Sequence, residues 1–150
     1  MNGTVLIDTR EQDLHILKDL DSLSVPYKRR KLDYGDYSFE WNGKSYENEI
    51  IIERKATFDE LIGNFTKGRK RFQNEFRRSS GCRVVLMVEA SVNDLEAGHY
   101  RSNMSPRDLK SFLSTWCHKF QLRLEFIEKN EACSFILNCF KDYLKREREV

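Results

Sequence analysis

The dipeptide Asn42-Gly43, set between the strand-like runs 27–40 and 44–55, constrains the fold of this chain more than any other feature. A two-residue hairpin turn needs positive φ at its central positions, which Asn-Gly adopts at low cost. The two runs are therefore expected side by side as antiparallel strands. A further run, Val84-Val85-Leu86-Met87-Val88, is apolar without interruption and fits a strand covered on both faces. A hairpin and a doubly covered strand together call for a sheet with helices on either side.

The rest of the chain supplies those layers. Residues 4–7 are β-branched and apolar, a buried strand ending at Asp8. Leu14, Leu17, Leu20 and Leu23 recur at helical spacing until Pro26 closes the segment. Thr57 and Glu60 read as a capping box that opens a helix. Its apolar face is Leu61, Phe65, Phe72 and Phe76, with Gly63 and Gly68 as weak points. Residues 93–104 are polar and poorly periodic, which predicts a loop or a frayed helix. Ser105-Pro106 opens the next helix, striped by Leu109, Phe112, Leu113, Trp116 and Phe120. Leu122, Leu124 and Phe126 alternate as a strand. Phe135, Ile136, Cys139, Phe140, Tyr143 and Leu144 share one side of a last helix, and 145–149 reads as a charged, fraying tail. The order β-α-β-β-α-β-α-β-α predicts an α/β fold, a three-layer α/β/α sandwich with a mixed central sheet. No glycine-rich phosphate loop follows the first strand, so a Rossmann arrangement is not expected.

At 150 residues the chain reads as a single domain, 1–150. It has no signal-peptide-like start and no apolar run near the roughly 20 residues that span a membrane. The expectation is a soluble, intracellular protein with no membrane partner, in the cytoplasm or nucleoid of a prokaryotic or viral setting, or in a eukaryotic nucleus. Cys82, Cys117, Cys133 and Cys139 are scattered through apolar segments and are expected to be reduced core residues. His15, His99 and His118 do not cluster, which argues against histidine metal ligation. The net charge is only +2, but its distribution is uneven. Between Lys67 and Arg78, six basic residues (Lys67, Arg69, Lys70, Arg71, Arg77, Arg78) stand against Glu75 alone. Lys28-Arg29-Arg30-Lys31 is a second cluster. Basic patches beside acidic ones suit a protein that holds nucleic acid and metal together.

The acidic groups fall at strand ends: Asp8-Thr9-Arg10-Glu11, Gly35-Asp36 and Glu53-Arg54-Lys55. Glu53 and Lys55 are two apart on a strand, so they share a face at a separation of roughly 6–7 Å, while Arg54 points the other way. Asp36 lies on the neighbouring strand, about 4.8 Å across, and can converge with Glu53 on one cation. Carboxylate oxygens are the ligands that Mg²⁺ prefers. Such an ion polarises a phosphate and activates a water. Lys55 would orient or deprotonate that water, or stabilise the charge that develops. Asp8 and Glu11 could add a ligand or support one. The helix with Lys67, Arg69, Lys70, Arg71, Arg77 and Arg78 follows directly and is placed to contact phosphates without reading bases.

These segments resemble a known family. Val5-Leu6-Ile7-Asp8-Thr9-Arg10-Glu11 is similar to the opening strand motif of the XPF-type structure-selective endonucleases. Leu32-Asp33-Tyr34-Gly35-Asp36-Tyr37 is similar to their Gly-Asp motif, and 52–59 to their Glu-Arg-Lys-x-x-x-Asp signature ending at Asp59. Lys67-Gly68-Arg69 with Gln73 resembles the helix that follows. The resemblance implies a restriction-endonuclease-like fold and a DNA-cleaving site that uses Mg²⁺ or Mn²⁺. It implies Asp36 and Glu53 as metal ligands and Lys55 as the catalytic lysine. Asp8, Arg10, Glu11, Arg54 and Asp59 would support the site, with Arg69 and Gln73 near it. The implied substrate is branched, flapped or forked DNA in repair, recombination or replication, and the implied assembly is a homodimer or heterodimer. No helicase-like region and no helix-hairpin-helix module is evident. A non-catalytic DNA-binding subunit and a sequence-specific restriction-like nuclease are the other readings. Intact Asp36, Glu53 and Lys55 argue against the first of these.

Overall fold

The computed structural model describes residues 3–12 and 14–148. In chain order the elements are β1 (Gly3–Ile7), α1 (Leu14–Ser22), β2 (Tyr27–Arg29), β3 (Tyr37–Trp41), β4 (Lys44–Ser45), β5 (Ile50–Lys55), α2 (Phe58–Phe65), α3 (Arg69–Arg78), β6 (Arg83–Val88), α4 (Val92–Ala97), α5 (Pro106–Phe120), β7 (Leu122–Phe126) and α6 (Ala132–Arg148), with a 3-10 turn at Lys129–Glu131. The strands form one mixed sheet in the order β2-β1-β3-β5-β6-β7, with β4 paired to the end of β3. β3 runs antiparallel to both β1 and β5, whereas β1/β2, β5/β6 and β6/β7 are parallel.

Asn42 and Gly43 have φ of 54° and 80° and join β3 to β4, so the predicted hairpin is present. Both of its arms are shorter than expected. The run 27–40 divides into two strands on opposite sides of β1, separated by an excursion that turns at Gly35 (φ 76°). The run 44–55 divides at the turn after Tyr46, whose carbonyl accepts from the N–H groups of Glu49 and Ile50. Alternation marks extended backbone, but it does not say which neighbour a strand chooses.

Two apolar layers enclose the sheet. Val5, Ile7, Phe39, Ile52, Val85 and Met87 face Ile16 and Leu20 of α1 and Ile136 and Phe140 of α6. Val84, Leu86, Val88 and Leu122 face α2, α3 and α5, where Phe65, Phe72, Leu109 and Trp116 pack together. Among the described residues, no helix packs on this second side of the sheet half carrying Leu6 and Ile51. Leu32 and Tyr34 of the 30–36 excursion cover it instead. That substitution leaves room beside α3 for polar groups.

Several helix expectations need correction. In α1 the buried stripe is Ile16 and Leu20, and Leu23 lies beyond the helix end, 55% exposed. The side chain of Leu14 and the tail residue Glu149 fall outside the described residues. The single helix expected after Thr57 is two, because the chain turns at Thr66–Gly68, where Gly68 N donates to the Gly63 carbonyl at 2.9 Å. Only half of the capping box forms as drawn: Thr57 Oγ1 accepts from Glu60 N, but Glu60 Oε2 accepts from Ala56 N. Residues 92–97 form α4, capped by Ser91 and ended by left-handed Gly98. The helix of the charged tail persists to Arg148. All four cysteines are free, with Cys133 and Cys139 buried. No described helix is long and apolar enough to cross a membrane.

Gly35 is the tightest point of the excursion. A Cβ there would stand 1.9 Å from Cγ2 of Ile51, at a φ that disfavours side chains, whereas a Cβ on Gly43 would meet nothing within 4 Å. Gly35→Ala is therefore expected to cost about 3 kcal/mol through strain and overpacking. Gly43→Ala should cost about 1 kcal/mol, from φ alone. Urea denaturation of both variants checks the ordering, and equal losses would contradict it.

Candidate functional site

The ends of three strands meet at one place because β3 is antiparallel to the strands flanking it. Asp8 follows β1 and Asp36 precedes β3, and Asp8 N donates to the Asp36 carbonyl at 2.8 Å. Asp36 N donates to the Ile52 carbonyl at 2.9 Å, and Asp36 Oδ2 accepts from Arg54 N at 2.7 Å. The Asp36 carboxylate is thus held by the backbone of β5 beside Glu53. Strand alternation sends Glu53 and Lys55 towards α2 and α3, with Lys55 Nζ 3.1 Å from Glu53 Oε1 and 3.8 Å from Glu60 Oε1. The same ammonium lies 4.9 Å over the Phe72 ring.

Asp8, Arg10, Glu11, Asp36, Glu53, Arg54, Lys55, Arg71 and Arg78 all line one cavity of about 590 Å³. Asp33, Gly35, Glu60 and Glu75 complete its wall. Glu75 was not singled out from sequence as a site residue. Its Oε1 accepts from Gly35 N at 3.1 Å, and its carboxyl group shares a hydrogen bond with that of Glu53. A signal for it was present: Glu75 is the lone acid of a basic helix, at i+4 from Arg71 and i−3 from Arg78, on their face.

The site is overloaded with negative charge. Burial, reinforced by Glu11, pushes the Asp36 carboxyl up to about 7. Burial, reinforced by Asp36, pushes Glu53 well above the usual carboxylate range. Burial opposes the charge on Lys55, but Glu53, Glu60 and Asp36 outweigh it and keep the ammonium protonated.

Asp8 is different. Its carboxylate accepts from Arg10 N, Nε and Nη2 and from Leu32 N, at 2.8–3.4 Å. Burial opposes ionisation here too, but these donors outweigh it and hold Asp8 below its ordinary value. Asp8 therefore clamps Arg10 and the 30–36 excursion. On the α1/α6 side of the sheet Arg54 is buried, with Nε 3.0 Å from both oxygens of Glu89 and Nη1 3.3 Å from Glu11 Oε1. His15 Nε2 lies 2.9 Å from Glu89 Oε1. Glu89 closes this buried ion network from the end of β6.

Other expected site residues lie elsewhere. Asp59 accepts from the N–H groups of Arg101 and Ser102, at 3.1 and 2.8 Å, so it pins the loop before α5 and does not line the cavity. Lys67, Arg69, Lys70, Gln73 and Arg77 are also off the cavity lining, and Arg69 packs 6.0 Å over the Phe112 ring. His99 contacts Asp94 at 3.1 Å, away from the cavity.

The carboxylates and the lysine stand at the meeting ends of the central strands of a mixed sheet between two helical layers, an α/β fold like that of XPF. The chain belongs to the ERCC4 domain family, whose model matches residues 7–139. Among solved structures, XPF from Aeropyrum pernix is similar with a TM-score of 0.68 and 22% identity, over 92% of this chain and 60% of that one. XPF from Aeropyrum pernix in complex with DNA is similar with a TM-score of 0.72 and 21% identity, over 96% of this chain and 66% of that one. At such identity the likeness is one of fold, and this chain spans about three-fifths to two-thirds of those chains. No curated protein matches it.

The crowded carboxylates have a consequence for stability. Asp36 binds a proton more tightly folded (about 7) than at its ordinary 3.8. Between those values the folded state holds the extra proton, so stability is greater at low pH and falls as pH rises through 4 to 7. Asp36→Asn should flatten that fall and be more stable than the parent at pH 8. Urea melts in EDTA from pH 5 to 8 measure this, and identical pH slopes would contradict it.

Proposed function

We propose that this chain is a metal-dependent nuclease that hydrolyses phosphodiester bonds in DNA, acting on branched, flapped or forked substrates. One observation carries the reading: Asp36, Glu53 and Glu75 crowd against protonated Lys55 in a cavity walled by Arg10, Arg71 and Arg78. Carboxylates held together against their own repulsion are suited to a hard divalent cation, and the donor set is oxygen only. Among the described residues no three acidic, His or Cys side chains are grouped to hold a metal. Mg²⁺ binds through one or two carboxylates and completes its shell with water and substrate phosphate. The residues present therefore fit Mg²⁺ or Mn²⁺, held by Asp36 and Glu53 with Glu75 beside them. When bound, the ion supplies an activated water and a polarised phosphate.

The chain's own residues do the rest. Lys55, kept charged and 3.1 Å from Glu53, places a cation where negative charge develops on the phosphorus oxygens. Arg71 and Arg78 draw the phosphate backbone to the cavity, and Lys67, Arg69, Lys70, Gln73 and Arg77 continue the contact along α3 and the turn before it. Asp8 and Glu11 act by position: Asp8 fixes Arg10 and the excursion that carries Asp36, and Glu11 fixes Arg54. DNA as substrate is supported by the likeness to a structure described as XPF in complex with DNA. Preference for branches, and pairing with a second copy or a related chain, are part of this proposal, and the family likeness supports them. Half-buried Phe112 on α5 and Phe135 on α6 offer apolar surface for such pairing.

Labelled single-stranded, duplex, flap, fork and four-way DNA, incubated with Mg²⁺ or Mn²⁺, test the proposal. Cutting near branches is expected. Asp36→Asn, Glu53→Gln and Lys55→Ala should each lower the rate by about 100-fold or more, and Glu75→Gln by roughly tenfold. Full activity in a folded Asp36→Asn variant would overturn the site. Binding also shows without turnover: millimolar Mg²⁺ should raise the melting temperature of the parent and leave Asp36→Asn unmoved. An equal rise in both would remove Asp36 from the ligand set.

A further inference from the structure

At the opposite ends of β5, β6 and β7 from the carboxylates, the surface carries two adjoining depressions. The first, about 250 Å³, has Val84, Val85, Cys139 and Tyr143 in its lining and Arg83, Arg123 and Arg146 around them. Asp142 is its one acid. The second, about 520 Å³, lies where α3 and α5 end, with Phe76 and Phe120 lining it beside Arg77, Arg83 and Lys119. No acid lines it. Arg83 and Gln121 belong to both, so the two depressions adjoin at the start of β6 and β7, and this joint surface, the trough, carries five cations against a single lining carboxylate.

All five cations are exposed. Of these five, only Arg123 has a salt bridge to a described residue, to Glu125 at 2.8 Å. Arg83 rests 5.5 Å over the Tyr143 ring and Lys119 5.3 Å over Phe120. Five cations beside so few carboxylates repel one another, and that repulsion is relieved by an anion with repeated charges. The depressions are of nucleotide size, too small to take in a duplex. Phe120 is half-buried, leaving part of its ring open beside Lys119. Cations tracking a backbone beside aromatic surface are how single strands are held without sequence preference. α3 connects the trough to the cavity, since Arg71 and Arg78 line the cavity and Arg77 lines the trough.

We infer that this trough binds the sugar-phosphate backbone of a single-stranded DNA segment, and that α3 leads such a strand between it and the carboxylate cavity. The identity of the strand as an arm of the cleaved substrate rests on the proposed function, whereas binding by the trough does not.

The test is fluorescence anisotropy of the full chain with fluorescein-labelled oligo-dT in EDTA, from 50 to 200 mM salt. The Arg83→Glu/Lys119→Glu pair should weaken binding at least tenfold. Arg83→Ala/Lys119→Ala should make the slope of log affinity against log salt shallower by about 1.4, at about 0.7 per lost phosphate contact. Arg83→Lys/Lys119→Arg should retain affinity, and unchanged melting temperatures establish that the variants fold. Unchanged affinity and slope in the charge-reversed pair would overturn the inference. So would loss of a dimer in sedimentation with oligo-dT binding intact, which would make the trough a protein–protein surface. Trough-dependent binding by a parent that cuts no DNA would instead sink the nuclease reading and leave this one standing.

Discussion

Glu53, Arg54 and Lys55 are consecutive, charged, and each no more than 7% exposed at the end of the central strand β5. Burial of an unpaired ion costs several kcal/mol, so the neighbourhood of β5 has to neutralise all three. Strand alternation divides the problem. Arg54 goes to the α1/α6 side, where Glu89 and Glu11 take its guanidinium. Glu53 and Lys55 go to the other side and pair with each other. There Asp36, Glu60 and Glu75 add further carboxylates around the Glu53–Lys55 pair, and Arg10, Arg71 and Arg78 line the same cavity. One face of the strand is electrically closed and serves as support. The other is left open, and that is where a cation and a phosphate have a reason to enter.

The open face exists because a loop, not a helix, covers that half of the sheet. Leu32 and Tyr34 fill the apolar gap over Leu6 and Ile51, and the Asp8 carboxylate holds the loop through Leu32 N. Gly35 then brings the chain against Ile51 closely enough for Asp36 to reach the Arg54 amide. Packing, a left-handed glycine and a backbone hydrogen bond together set the distance between two carboxylates on different strands. Few side-chain torsions enter that distance, which is a form of preorganisation.

The layers, the hairpin and the pairing of Asp36 with Glu53 were legible in the sequence because each depends on short-range pattern. Asn42-Gly43 fixes a turn, Val84–Val88 fixes a doubly covered strand, and the i, i+2 spacing of Glu53 and Lys55 fixes a common face. What stayed hidden depends on contacts distant in sequence. Nothing local says that 27–29 pairs beyond β1 while 37–41 pairs on its other side. Nothing near Asp59 says that its partners are the amides of Arg101 and Ser102, 42 and 43 residues away. In the sequence Glu75 is the one acid among six basic residues, and its spacing from Arg71 and Arg78 puts it on their face. Its closeness to Glu53 follows only from how α3 lies across the sheet.

The Asn42-Gly43 tip stands at the far end of β3 from Asp36, exposed, and a side chain added at Gly43 would meet nothing within 4 Å of its Cβ. It joins β3 to the short strand β4, away from the strand ends that carry the carboxylates, so foreign sequence inserted there would not tug on them. The tip is thus a natural splice point. A fluorophore, an affinity tag or an entire recognition module can be grafted onto it and carried by the domain, with the carboxylate cavity left as it is.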